Sequence, residues 1–329
     1  MSSPCSTRCR SARRCISSKP DLRKRSVLKR LFGVVPVVFG VLLLTFLLVH
    51  LVPGDPVEVM LGESASSADR SQLRAELGLD KSLPLQFVNY LSRLAQGDFG
   101  NSIHSREPVS AMLAERLPAT IRLALLALVI AIAIGLPLGI IAALRANRWP
   151  DRIATLTSLT FSAMPHFWLG PLLMMVFALW LGWLPVSGME SSASIVLPAL
   201  TLGFGLSAIL TRMTRASLLE VLNEDFVRTA RAKGLQEHQV ILGHALRAAL
   251  LPVVTILGLQ LGGLLAGTVI TETVFGWDGI GRLLVESIEK RDYPVTQACV
   301  LVIALIYVLV NLCTDLLYTQ LDPRVRYSR

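Results

Sequence analysis

"NEDFVRTARAKGLQEHQVILGHALRAALLP", residues 223–252, lies between two runs apolar enough to cross a bilayer. The stretch mixes Arg228, Arg231 and Lys233 with Glu224, Asp225 and Glu237, carries Gly234 near its middle and ends on Pro252. Asn223 is the expected N-cap, with Glu224 and Asp225 in the first turn, where the helix dipole favours acids. Glu224 and Arg228 stand i, i+4 in the better orientation for a surface pair. Phe226 and Ala230 fall on one face of that helix, Arg228 and Arg231 on another. Gly234 supplies a turn, and a second helix is expected from near Glu237 through Pro252 into a span. Such a segment is either a solvated loop or a docking element for a cytoplasmic partner. Ala230 and Ala232 beside Gly234 let another surface approach closely, which favours docking.

Working outward, the 329-residue chain is 53% hydrophobic and 17% charged, with mean hydropathy +0.57. Its apolar residues come in blocks of about 20, the length a helix needs to cross the hydrocarbon layer. An all-α, polytopic membrane protein follows. The net charge of +9 sits in the first 30 residues, where Lys and Arg outnumber the lone acid Asp21. A nucleic-acid partner is therefore not expected. Residues 1–30 read instead as a basic cytoplasmic tail without fixed structure, followed by a transmembrane domain over 31–329. Cys5, Cys9 and Cys15 in the tail and Cys299 and Cys313 in an apolar run show neither zinc spacing nor a disulfide framework.

Six apolar runs stand out: Leu31–Val52, Leu123–Leu144, Leu156–Trp183, Ala193–Thr211, Ala248–Ile270 and Thr296–Leu317. The third is interrupted by "SAMPHFWLG", where Pro165 removes a helix donor. Lys and Arg collect in the tail, in "RANRWPDR" (145–152), in the quoted segment and in the last residues. They are outnumbered by acids in 53–118 and 276–296, and absent from 184–194. The positive-inside rule gives six spans with both termini inside, an external segment 53–118 and an internal loop over about 212–247. Within 53–118, "LRAELGLDKSLPLQFVNYLSRLAQGDFG" suggests short amphipathic helices bounded by Gly and Pro.

The internal loop resembles the EAA loop of ABC-importer permeases. Gly234 takes the glycine position, with Arg228, Thr229 and Ala230 at the Glu-Ala-Ala positions; His244, Leu246 and Arg247 replace Ile, Leu and Pro. It is closer to the "RTARAKGL…HALR…LLP" form of the dipeptide, oligopeptide and nickel importer permeases. The resemblance runs from about residue 28 to the end. "PGDP" (53–56), "LGLDKSLPLQF", "GDFGNS", "RLPAT", "SAMPHF", "ETVFGWDGIGRLLVESIEKRDYP" (272–294) and "NLCTDLLYTQLDPR" (311–324) carry it. Together they resemble the permease with the large first external loop, while Asp278 stands where many relatives have proline.

The resemblance implies the ABC type I importer permease fold in the bacterial cytoplasmic (inner) membrane. It also implies a second, unlike permease, two cytoplasmic ATP-binding subunits and an extracytoplasmic solute-binding protein. No phosphate-binding loop occurs in this sequence, so ATP and Mg belong to the partner subunits and this chain is not an enzyme. By the same resemblance Phe226, Arg228, Thr229, Ala230, Ala232, Lys233, Gly234 and Leu235 couple the ATPase to the spans. Di- or oligopeptide is the expected cargo, with nickel or glutathione as alternatives. A stand-alone secondary transporter or channel is the rival from another class; it would leave the internal loop unexplained.

Three further features bear on the path. Gln260 is the polar side chain in "LGLQLGGLLAG", where Gly262 and Gly263 allow close helix approach. His166 follows the Pro165 break and is a candidate for the path lining. Glu272, costly in lipid, reads as an anchor for the external turn rather than a substrate contact.

Overall fold

A computed structural model describes residues 33–47, 68, 71 and 80–321. The basic tail 1–30, the "PGDP" segment and the basic end beyond residue 321 lie outside the described residues. Every regular element among the described residues is helical. In chain order these are α1 (Gly33–Leu47), α2 (Leu83–Ala95), α3 (Val109–Leu144), α4 (Trp149–Ala163) and α5 (His166–Leu173). There follow α6 (Val196–Leu222), α7 (Asp225–Ala232), a short helical turn Glu237–Gln239, α8 (Leu246–Phe275), α9 (Ile280–Glu289) and α10 (Tyr293–Leu321). Four of the described helices are long and apolar enough to cross a membrane, or five when a bent pair counts as one span. The first of the six expected runs is described only over α1.

That bent pair is the third apolar run. α4 ends at Ala163, Met164 is extended, and the chain turns by 112° before continuing as α5 and a π-helical turn, Met174–Trp180. Pro165 is the cause, because a residue before proline is pushed out of the helical region. The proline carbonyl then caps the new helix, accepting from Trp168 N at 3.0 Å and Leu169 N at 3.1 Å.

The centre of the fold is the contact of α3 with α6. Ala119, Leu123, Ala127 and Ala131 are buried at every fourth position of α3 against Ala199, Leu202 and Leu206 of α6, with Leu264 of α8 and Trp277. The same spacing continues to Gly135 and Gly139. A Cβ on Gly135 would stand 2.9 Å from Leu210 Cβ, and one on Gly139 would stand 2.6 Å from Thr214 Cβ. Small residues at this period bring two backbones close enough for dense van der Waals contact, the main attraction between helices in lipid.

Several helices outrun their apolar cores. α3 starts at Val109, well before Leu123, and continues through Pro118. α6 continues past Thr211 to Leu222. Hydropathy marks the part of a helix that lies in lipid and says nothing about where its hydrogen bonds stop. Segment 53–118 does contain an amphipathic helix: α2 begins with Pro84 in its first turn and is followed by Gly97 at φ 76°. It leans on α1 through Phe87 against Phe46 (5.2 Å between ring centroids) and Thr45 Oγ1 against Tyr90 OH at 3.3 Å. Gln297 Nε2 of α10 in turn donates to Thr45 O at 2.7 Å, tying α1 to the bundle.

Candidate functional site

At the end of the molecule reached by the C-terminus of α6, the chain folds back into α7. Asn223 is not its N-cap. It closes α6, with its Nδ2 donating to Leu219 O at 3.0 Å, and Glu224 is the extended residue that opens α7. The two-residue link leaves no room for a longer cap, so the residue with helix-capping chemistry serves the preceding helix. The expected Glu224–Arg228 pair is replaced by Arg228 with Asp225 at 3.7 Å, both highly exposed.

α7 is seated by Val227 and Ala230, which are buried with Ala143 of α3, Leu218 of α6, and Val240, Ala245 and Ala249 on the way into α8. Phe226, Arg228, Thr229, Ala232, Lys233, Gly234 and Leu235 are all exposed. Of the coupling residues expected from the sequence, Ala230 alone points inward and belongs to the seat. Val227, three residues before it, was not singled out, although its spacing to Ala230 is the signal.

Gly234 has φ +78°, a conformation in which a Cβ is strained, and this lets the chain reverse at once after α7. Across the turn the Arg231 guanidinium forks onto Glu237, with Nη2 to Oε1 at 2.7 Å and Nε to Oε2 at 3.1 Å. That hydrogen bonding raises the Arg231 pKa above its ordinary value. Residues Val240–Ala245 then form a π-helical turn leading into α8. Ser217 Oγ of α6 donates to Ala249 O of α8 at 2.8 Å, so α6, α7 and α8 form one cross-braced unit. The brace extends to α4, where buried Asp151 accepts from Arg215 Nε at 2.5 Å and Nη2 at 2.7 Å, and from Asn147 N at 2.7 Å.

A second feature is a cavity of about 260 Å³ between α4, α6 and α8. Gln260 and Gly263 line it together with Phe161, Ser162, Gly205 and Ile209. Phe161 and Phe204 stack at 4.8 Å beside it. Gly262 faces elsewhere: a Cβ there would lie 2.7 Å from the Tyr307 ring of α10. It is a helix-packing glycine, as is Gly258 against Thr314. His166 opens α5 at the Pro165 break, and its side chain lies outside the described residues.

At the far end α9 is latched over the bundle. Glu272, fully buried, accepts from Thr120 Oγ1 at 2.7 Å, Gly281 N at 2.7 Å and Arg282 N at 3.2 Å. Thr120 Oγ1 also accepts from Ile280 N at 2.9 Å, and Trp277 Nε1 donates to Ala119 O at 3.1 Å. Both carboxylate oxygens of Glu272 are thus used in holding the start of α9, the anchoring role its position suggested. Ser102 Oγ donates to Asp292 Oδ2 at 2.5 Å, fixing a residue after α9 to the segment that leads into α3.

Residues 135–327 match the family described as binding-protein-dependent transport system inner membrane component, and residues 24–124 match its N-terminal companion. The glutathione transport system permease protein GsiC of Salmonella choleraesuis (strain SC-B67) is 47% identical over 302 residues, 92% of this chain and 99% of that protein. Its counterpart in Escherichia coli (strain K12) is 48% identical over the same share of each chain. Among solved structures, a chain of the MetNI methionine ABC transporter in inward-facing form superposes with TM-score 0.56 at 16% identity, over 64% of this chain and 96% of that one. A chain from the native crystal form gives TM-score 0.56 at 21% identity over 66% and 99%. A likeness at that identity shows the fold alone. The chain belongs to the inner-membrane permease components of binding-protein-dependent transport systems: it is an ABC importer permease of the peptide and glutathione type, a multi-pass subunit that is not itself an enzyme.

Proposed function

We propose that this chain forms half of an import path for short peptide-like solutes, beside a second, unlike permease. Two cytoplasmic ATP-binding subunits holding ATP and Mg drive it, and an extracytoplasmic binding protein delivers the cargo. The reading has six spans, with α1 part of the first, both termini and α7 inside, and 53–118 outside. The observation that carries it is the seating of α7. Val227 and Ala230 lock the helix to α3, α6 and α8, while Phe226, Arg228, Lys233 and Leu235 face outward. A helix held this way can pass a displacement to the spans without absorbing it, which a two-state rocking mechanism requires.

For the cargo, the GsiC relatives support glutathione first, with di- and oligopeptides beside it. Gln260 and Ser162 give the cavity neutral hydrogen-bonding groups on an otherwise apolar wall, suited to a peptide backbone of varied side chain. The test is ATP-dependent uptake by vesicles holding the assembled transporter and its binding protein. Labelled glutathione and a labelled dipeptide would be compared, each with the other in excess. Uptake of glutathione resistant to dipeptide selects glutathione, and mutual competition selects the wider class. Uptake of neither removes the peptide assignment.

A further inference from the structure

The turn between α3 and α4 carries a feature that coupling and transport leave unused. A groove of about 420 Å³ opens there, lined at one end by Asn147, Arg152 and Thr155 and at the other by Leu156 and Leu159. Its floor is Asp151, whose carboxylate is already taken by Arg215 and Asn147 N, so it offers little repulsion to an incoming anion. Arg152 lines the groove and Arg145 and Arg148 precede it in the same turn; all three are exposed, and no ion pair among the described residues engages them. Trp149, 75% exposed, stands beside them. Below it the outward face of α4 continues with exposed Ile153, Leu156 and Leu159.

We propose that this groove holds one anionic phospholipid of the cytoplasmic leaflet, its phosphate among Arg145, Arg148 and Arg152 and an acyl chain along Leu156 and Leu159. The inference rests on the reading above that the α7 end is cytoplasmic, since Asp151–Arg215 places this turn at that end. Three observations converge on a lipid. The unpaired charge of this turn is of one sign, which draws anionic headgroups to a membrane surface. The groove passes from polar to apolar along its length, as a phospholipid does. An exposed indole beside the arginines occupies the headgroup level, where Trp is favoured. An ordinary positive-inside turn accounts for the arginines but gives no reason for a groove that becomes apolar beneath them.

The test uses the assembled transporter in phosphatidylcholine vesicles containing phosphatidylglycerol brominated on its acyl chains, against brominated phosphatidylcholine as control. Quenching of Trp149 is read as the difference between wild type and W149F. Brominated phosphatidylglycerol is expected to quench at membrane fractions far below those needed for brominated phosphatidylcholine. The triple variant R145Q/R148Q/R152Q should shift its half-quenching fraction upward by roughly a hundredfold, since each arginine contributes about fivefold. L156E should abolish quenching with the arginines intact. Equal quenching by the two lipids in the wild type overturns the proposal, and so does an unchanged triple variant. Displacement by inorganic phosphate as effective as by phosphatidylglycerol would show a phosphate site and overturn the lipid. If the triple variant fails to assemble, the wild-type comparison of the two lipids still decides.

Discussion

Thr120 Oγ1 donates to Glu272 Oε1 at 2.7 Å across 152 residues of chain, and the two side chains between them hold three backbone N–H groups of the α9 entry. A carboxylate this deeply buried survives because donors surround it. Removing it strands those donors. Glu272→Ala is expected to destabilise this latch by about 3 kcal/mol, the cost of leaving several buried donors unmet. Glu272→Gln, which keeps one acceptor, should cost less. Protease cleavage within 276–292, in the loop proposed to face outward, measures the difference. Equal cleavage of wild type and the alanine variant would refute the latch.

Gly279 belongs to the same latch. A Cβ there would lie 2.3 Å from Glu272 Cδ, too close for any side chain without moving the carboxylate. Gly279→Ala should therefore reproduce the cleavage seen with Glu272→Ala, and combining the two should add little because they act on one contact. A Gly279→Ala variant protected like the wild type would show that Glu272 has room to move.

The α3–α6 contact makes a separate prediction. Gly139→Val places branched atoms where Thr214 Cβ stands 2.6 Å from the glycine's missing Cβ. The backbones must separate, at a cost of about 2 kcal/mol or more for overpacking. Thermal unfolding of the purified complex should fall, whereas Gly263→Ala, with nothing within 4 Å of its added Cβ, should leave unfolding unchanged.

The fold was legible where the sequence writes it in hydropathy and punctuation. The second to sixth apolar runs, the Pro165 break and the Gly234 turn appear where residue chemistry puts them, while the first run is described only over α1. Helix ends were not, because α3 and α6 leave the apolar zone and continue on backbone hydrogen bonds and tertiary contacts. The α7 seat was half legible: Gly234 and Ala230 drew notice through their resemblance to a known loop, while Val227 was one valine among many. Neither the Asp151–Arg215 bridge nor the Gly262–Tyr307 contact has any local signal. Each joins residues far apart in the chain, and only the packed bundle says which face Gly262 presents.

Arg215 and Asp151 brace α6 against α4 at the end where α7 sits, with the carboxylate 5% exposed and the guanidinium 30%. Arg215→Ala leaves that carboxylate without its counter-charge, expected to cost about 3 kcal/mol, and Asp151→Ala in the same background should recover part of the loss. A double-mutant cycle on thermal unfolding reads the coupling. Strict additivity of the two substitutions would show that the pair is not formed in the membrane.

The proposed coupling residues divide into those that seat α7 and those that face outward, and the two groups should fail differently. Ala230→Glu buries a charge in the cluster of Ala143, Leu218, Val227 and Ala245 and should unseat the helix. Gly234→Pro forces φ negative where the turn needs +78° and should do the same. Both should lose the co-purifying ATPase and expose the 223–239 segment to protease. Phe226→Ala and Lys233→Glu remove outward contacts from a helix that stays in place, so the ATPase should be lost or weakened with protease resistance retained. Retention of the ATPase by all four variants would move coupling away from α7. Loss of protection in the outward variants would mean that α7 is held by its partner rather than by Val227 and Ala230.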